Sequence, residues 1–283
     1  MESVIATRLS CLGHPQRLSV FRLLMRRYPD ALPAGEIAGV LGLKASTLSS
    51  YLSALMQAGL VTQARAGTSL LYAPDMGAVG GMFDHLLNDC CRGRPDLCPP
   101  FSTRSPRGGG AMTQTRKPYR VLFICTGNSA RSIFAETLLR ELGGGRFEVH
   151  SAGTRPRSEL NPFAIRVLRD KGHDISALRA KNVAEFQGPD AQDFDFVFTV
   201  CDRAANEECP PWPGQPVSGH WGMPDPVRAE GTDAERALAF QGVYGALRNR
   251  VQAFVALPVE ALDARSLQRA VDAIGRMPDP VAP

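Results

Sequence analysis

No apolar run in the 283-residue chain is long enough to span a bilayer, and the opening Met1-Glu2-Ser3 is not the start of a secretion signal. A membrane protein and a secreted one are both unexpected. An even cysteine framework is missing too. The seven cysteines stand at 11, 90, 91, 98, 125, 201 and 209, an odd number at irregular spacing. That argues against structural disulfides and for reactive or ligand thiols in a cytoplasmic protein. A strong charge of one sign is also absent: 32 Lys+Arg against 28 Asp+Glu leave only +4. The small excess is unevenly placed. Residues 1–111 hold 11 basic and 7 acidic side chains, while residues 112–283 hold 21 of each. A polyanionic partner is therefore sought in the N-terminal part, which the charge permits without proving.

At this length two domains are expected. Residues 1–98 read as a first domain that is mostly helical over 1–91, 99–117 as a linker, 118–257 as an alternating α/β domain, and 258–283 as a final helix and tail. In the first part, apolar positions recur at three and four in Val4, Ile5, Leu9, Leu12 and in Leu18, Phe21, Leu24, Met25. Pro33 should start a third helix that ends at Gly42. In the next helix Leu48, Leu52 and Leu55 form a buried stripe opposite Ser, Thr, Tyr and Gln. Two short helices about a Gly turn make a helix-turn-helix pattern. Residues 60–65 and 69–73 about Gly67 read as a hairpin wing, and a last helix should run from 76 to 89.

With the run Ser46-Thr47-Leu48-Ser49 through Ala58-Gly59-Leu60-Val61, this stretch resembles the ArsR/SmtB family of winged-helix repressors. The resemblance implies a homodimer on operator DNA, with Ser46, Thr47, Ser49, Ser50 and Gln57 as base-facing candidates and Arg65 as a backbone or minor-groove contact. A helical domain that only dimerises is the alternative. Cys90, Cys91 and Cys98 follow the last helix in a Gly/Pro-containing stretch. Three thiols suit trivalent arsenic, As(III), which takes three sulfurs, whereas structural zinc takes four ligands. His85 is a possible fourth ligand but reads better as an interface histidine. Adjacent Cys90 and Cys91 point about 100° apart on a helix, so one ion bound by both should unwind the helix end. Cys11 reads as a buried small apolar residue. The linker composition of Pro, Gly, Ser and charge leaves nothing to pack, and its ends should average about 24 Å apart.

From Tyr119 the pattern becomes strand, loop, helix and then alternates: strands near 146–151, 194–200 and 216–220, and helices near 161–171, 232–254 and 262–274. Such alternation implies a parallel sheet with helices on both faces. The loop Cys125-Thr126-Gly127-Asn128-Ser129-Ala130-Arg131-Ser132 follows the first strand and opens a helix. Backbone N–H groups there converge on an oxyanion, and the helix N-terminus adds positive potential. A cysteine so placed is expected to have a lowered pKa and to act as a thiolate nucleophile. Arg131 offers a planar fork to two oxygens of a tetrahedral anion.

Cys125-x5-Arg131-Ser132 after a first strand resembles the low-molecular-weight tyrosine phosphatase fold, over about 118–257. Two chemistries compete within it, phosphotyrosine hydrolysis and arsenate reduction. Cys201 and Cys209, the Val227 that follows Asp225-Pro226 where a phosphatase carries an aromatic, and the runs 200–216 and 220–226 look like arsenate reductases of this fold. The resemblance implies arsenate held by residues 126–130 and Arg131, attack by Cys125 steadied by Ser132, Asp225 as general acid, and a relay through Cys201 and Cys209. No tightly bound cofactor is implied. The external dithiol is thioredoxin or a glutathione/glutaredoxin system. Relatives with a potassium ion near the loop use Asn, Glu, Ser and Asp. Here Asn128, Glu136 and Ser151 match, but Lys181 stands near the acid's place, so no such metal is expected. Because residues eight apart on a straight helix lie about 12 Å apart and a disulfide needs Cα atoms within about 7 Å, residues 201–209 should refold during turnover. The expected whole is an arsenic-responsive repressor fused to an arsenate reductase. A tyrosine phosphatase fused to a DNA-binding regulator is the alternative.

Overall fold

A computed structural model of the chain describes residues 2–90, 117–188, 191–207, 212 and 214–278. The expected linker to residue 116, and Cys91, Cys98 and Cys209, lie outside them. The chain divides into two compact units, 1–103 and 104–283. No helix among the described residues is long and apolar enough to cross a membrane.

The first unit holds helices α1 (Glu2–Leu12), α2 (Pro15–Arg27), α3 (Ala34–Leu41), α4 (Ala45–Gln57) and α5 (Met76–His85). Three short antiparallel strands, β1 (Leu32–Pro33), β2 (Val61–Ala66) and β3 (Ser69–Pro74), pair in the order β1-β3-β2. Leu23, Leu24, Ile37, Leu48, Leu52, Leu55 and Leu60 are buried at the centre. The α3–α4 turn depends on Gly42, whose φ of 63° is left-handed, and it is closed by Leu43 N–H donating to Ala38 O at 3.0 Å. Gly67, at φ 60°, turns the β2–β3 wing.

Three expectations change here. Pro33 does not start α3; it is extended (ψ 148°) and ends β1, because Leu32 is buried and pairs with Tyr72. The first two apolar stripes are only partly buried: Val4, Leu9 and Leu18 are exposed, whereas Ile5, Phe21 and Leu24 pack inward. The last helix is regular only to His85 and continues as a wider π turn, Leu86–Cys90. The buried Cys11 sits as expected, its thiol 3.5 Å from Ala54 O.

The second unit is an α/β fold. Strands β4 (Tyr119–Cys125), β5 (Phe147–Gly153), β6 (Phe196–Thr199) and β7 (Val217–His220) form a wholly parallel sheet in the order β5-β4-β6-β7. Successive residues Val121 to Cys125 are all buried, so both faces of central β4 are covered. The helices are α6 (Arg131–Leu142), α7 (Pro162–Asp170), the short α8 (Asp202–Asn206), α9 (Asp233–Val255) and α10 (Ala264–Gly275). Phe123, Phe198, Trp221 and Phe254 form a continuous aromatic core, with Phe198 and Trp221 stacked at 4.2 Å. α10 covers β7: Val271 would meet any Cβ added at Gly219, and Trp221 Nε1 donates to Val271 O at 3.4 Å.

Candidate active site

The carboxyl end of β4 meets the amino end of α6 through residues 126–130, and no side chain caps that helix start. The loop is fixed by its neighbours. Thr154, Arg155 and Arg157 N–H groups donate to the carbonyls of Cys125, Thr126 and Gly127 at 3.0, 2.8 and 2.9 Å. Asn128 holds a left-handed φ of 42°, a strained conformation for a non-glycine residue. Its side chain explains why it is there. Nδ2 donates to Ser132 Oγ and to Ser151 Oγ, both at 2.8 Å, and Oδ1 accepts from Lys181 N–H at 2.7 Å. Gly153 gives the loop room, since a Cβ there would stand 2.8 Å from Thr126 O.

Cys125 is 2% exposed at the floor of this loop. Its Sγ accepts from Asn128 N–H at 3.1 Å and lies 3.0 Å from Ser132 Oγ. Asn128 already donates to Ser132 Oγ, so the hydroxyl proton is left for the sulfur. Further back, Ser151 Oγ donates to the buried Glu136, which Lys181 Nζ meets at 3.0 Å and Arg140 also contacts. A polarised chain thus runs from the Lys181 ammonium to the thiol through Glu136, Ser151, Asn128 and Ser132. Lys181 occupies the position the sequence suggested for it, against Glu136.

The expected lowering of the Cys125 pKa is not found. Burial pushes the thiol above its ordinary value, and the neighbouring Cys201 adds to this, while Ser132 and Arg131 pull it back only in part. The sequence shows donors and a helix start; it does not show that the sulfur is almost wholly removed from water.

Arg131 donates to Met223 O at 3.1 Å and pairs with Asp225 at 3.2 Å. Met223 is in turn touched by buried Arg250, whose other arm reaches Met277 O at 3.0 Å. Asp225 accepts from Val227 N–H and begins a short turn, Pro226–Arg228. Cys201 is 1% exposed, with Sγ 3.4 Å from Thr126 Oγ1, so a second thiol touches the loop. The same sulfur accepts from Ala204 N–H and caps α8. α8 ends at Asn206, and Glu207 is extended, so the premise of one helix through 201–209 does not hold. Cys125, residues 126, 127, 129 and 130, Arg131 and Asp225 all line one cavity. Its wall also carries Arg155, Arg157, Arg203 and Arg228, which the sequence did not single out. They come from three separate segments, and no spacing rule joins them.

In the first unit, Ser46, Ser49, Ser50 and Gln57 are exposed on α4 and Thr47 is half-buried. Arg65 is exposed on the wing, its Nε 3.4 Å from Gly67 O. Cys90 is exposed at the end of the π turn. His85 pairs with Asp89 at 3.4 Å.

Residues 120–269 match the family described as "Low molecular weight phosphotyrosine protein phosphatase", and residues 12–64 match "Helix-turn-helix domain". An arsenate reductase of Bacillus licheniformis is 37% identical over 135 residues, covering 47% of this chain and 93% of that protein. A glutaredoxin arsenate reductase of Synechocystis sp. is 31% identical over 137 residues, covering 48% and 96%. A solved structure described as an arsenate reductase in the phosphate binding state is 29% identical, covers 49% of this chain and 97% of its own, and superposes with a TM-score of 0.39.

Proposed function

The chain belongs to the low molecular weight phosphotyrosine protein phosphatase family, fused behind a helix-turn-helix domain, and from that premise we propose an arsenic-responsive transcriptional repressor that carries its own arsenate reductase. The contact between Cys201 and the Cys125 loop carries the enzymatic half. Hydrolysis needs one thiol; reduction needs a second within reach.

Arsenate binds the amides of residues 126–130 and the Arg131 fork. The Cys125 thiol gives its proton to an oxygen of the bound dianion, and its sulfur attacks arsenic. Asp225, held beside Arg131, protonates the departing oxygen, which leaves as water. Cys201 then attacks Cys125 Sγ. The Cys125–arsenic bond breaks, its electron pair stays on arsenic, and arsenite departs as a Cys125–Cys201 disulfide forms. Cys209 attacks Cys201 and frees Cys125. An external dithiol, thioredoxin or a glutathione/glutaredoxin system, reduces the Cys201–Cys209 bond.

In the regulatory half, α4 enters the major groove through Ser46, Thr47, Ser49, Ser50 and Gln57, and Arg65 contacts the backbone from the wing. The exposed Val4, Leu9, Met76 and Phe83 on α1 and α5 support a homodimer through this unit. Cys90, Cys91 and Cys98 bind arsenite. Engaging Cys90 draws on the π turn, already a departure from regular helix, and so alters dimer geometry and releases DNA.

The test is arsenate reduction by wild type and by Ser variants of Cys125, Cys201 and Cys209, with each reductant system. All three variants should lose multiple-turnover reduction. Turnover surviving loss of Cys201 would overturn the relay. The second reading, a tyrosine phosphatase, draws on the family's description, but exposed Val227 lines the cavity after Pro226. Rapid aryl phosphate hydrolysis without thiol-dependent arsenate turnover would favour it.

A further inference from the structure

The cavity above Cys125 carries more positive charge than its floor needs. Arg131, Arg155, Arg157, Arg203 and Arg228 line it, against Asp225 as the acid of the wall. The half of the chain that supplies them has 21 basic and 21 acidic residues, so the charge is sorted onto this mouth by the fold. Arg131 is held inward, with 11% of its side chain exposed. The other four are exposed. The backbones of Arg155 and Arg157 are bonded to the loop itself, Arg203 rises from α8 beside Cys201, and Arg228 ends the turn that starts at Asp225. Arg155 lies 3.7 Å from Glu207, and Arg228 lies 3.9 Å from Asp225. Arg157 and Arg203 meet no carboxylate among the described residues.

A concave wall of one sign focuses its field and concentrates ions of the other sign. Long exposed guanidiniums are poor fixed ligands because holding them still costs side-chain entropy. Their charge nonetheless acts over a screening length of about 8 Å at physiological salt, which covers the mouth of a small cavity.

We propose that Arg155, Arg157, Arg203 and Arg228 form an electrostatic capture ring that draws small oxyanions, arsenate or phosphate, onto the Cys125 loop in preference to neutral ligands, leaving the holding to Arg131. The ring rests on the oxyanion reading of Cys125, and its test has an arm that needs no turnover. In the full-length protein, Cys125 is alkylated with anionic iodoacetate and with neutral iodoacetamide, and modification is followed on the Cys125 peptide by mass spectrometry. Both reagents consume the same thiolate, so the rate ratio reports the field and is insensitive to the thiol's pKa. The ratio should exceed that of a free thiol and fall with added salt. In the triple variant Arg157→Gln, Arg203→Gln, Arg228→Gln it should drop about tenfold, the lower end of electrostatic enhancement of encounter, and lose most of its salt dependence. The corresponding Lys variants should restore it. Because Glu207 partly neutralises Arg155, Arg155→Gln should have the smallest single effect. For arsenate, the loss in the triple variant should fall in kcat/KM rather than kcat. An unchanged alkylation ratio in the Gln variants, or failure of Lys to restore it, overturns the ring. Absence of arsenate turnover in wild type overturns the reaction and leaves the alkylation arm to judge the ring.

Discussion

Cys125 is held by opposed forces, and the balance has a measurable sign. Burial and Cys201 raise its pKa, while Ser132 and Arg131 lower it. Only the thiolate is nucleophilic, so alkylation by iodoacetamide should rise with pH along a titration displaced above that of an ordinary cysteine. Ser132→Ala removes a pull in the lowering direction and should move the curve further up; a curve that moves down would contradict the assigned roles. Bound arsenate brings a base of its own, since a dianion beside the thiol accepts its proton. Gly153 is the other residue where one atom decides. A Cβ would stand 2.8 Å from Thr126 O and 3.1 Å from Asn128 N, both backbone. Gly153→Ala should therefore displace the loop, weakening protection of Cys125 by inorganic phosphate at least tenfold while thermal unfolding stays cooperative.

Among the elements, α8 and α10 do work that their lengths conceal. The Cys201 sulfur caps α8 by accepting from Ala204 N–H, and the relay must pull that sulfur away. With only five residues in α8, loss of the cap should release the helix. Hydrogen exchange of the amides at 203–206 should be faster in the oxidised protein than in the reduced one, and identical exchange would argue against movement here. α10 buries Leu267, Val271 and Ile274 against the sheet edge and reaches Trp221. Leu267→Ala should cost about 2–5 kcal/mol, as for other buried leucines, seen as a lower unfolding temperature. Because Met277, just beyond α10, accepts from Arg250, and Arg250 touches Met223 beside Arg131's anchor, activity should fall with stability.

For the whole molecule, the prediction is separable function. Cys125→Ser should abolish arsenate reduction and leave operator binding and its release by arsenite intact, measured by turnover and by fluorescence anisotropy on operator DNA. Cys90→Ser should leave arsenate reduction and operator binding intact and abolish release of the operator by arsenite. Loss of both activities in either variant would mean the two halves are not independent.

Much of this was legible in the chain. Alternation after Tyr119, the loop from Cys125 to Ser132 and the Gly42 and Gly67 turns follow from local rules, because strand period, helix period and left-handed glycine depend on near neighbours. The fusion of a helix-turn-helix domain to a phosphatase-like domain was readable for the same reason: each half carries its motif within a short span. The tertiary structure alone decided the rest. It paired Leu32 with Tyr72 and so moved Pro33 out of α3. It ended α8 at Asn206, left Val4 and Leu9 exposed, and buried Cys125 until its pKa rose. It also brought Arg155, Arg157, Arg203 and Arg228 around one cavity from positions far apart in the chain. Burial and field are sums over everything nearby in space, and residues nearby in space are mostly remote in sequence.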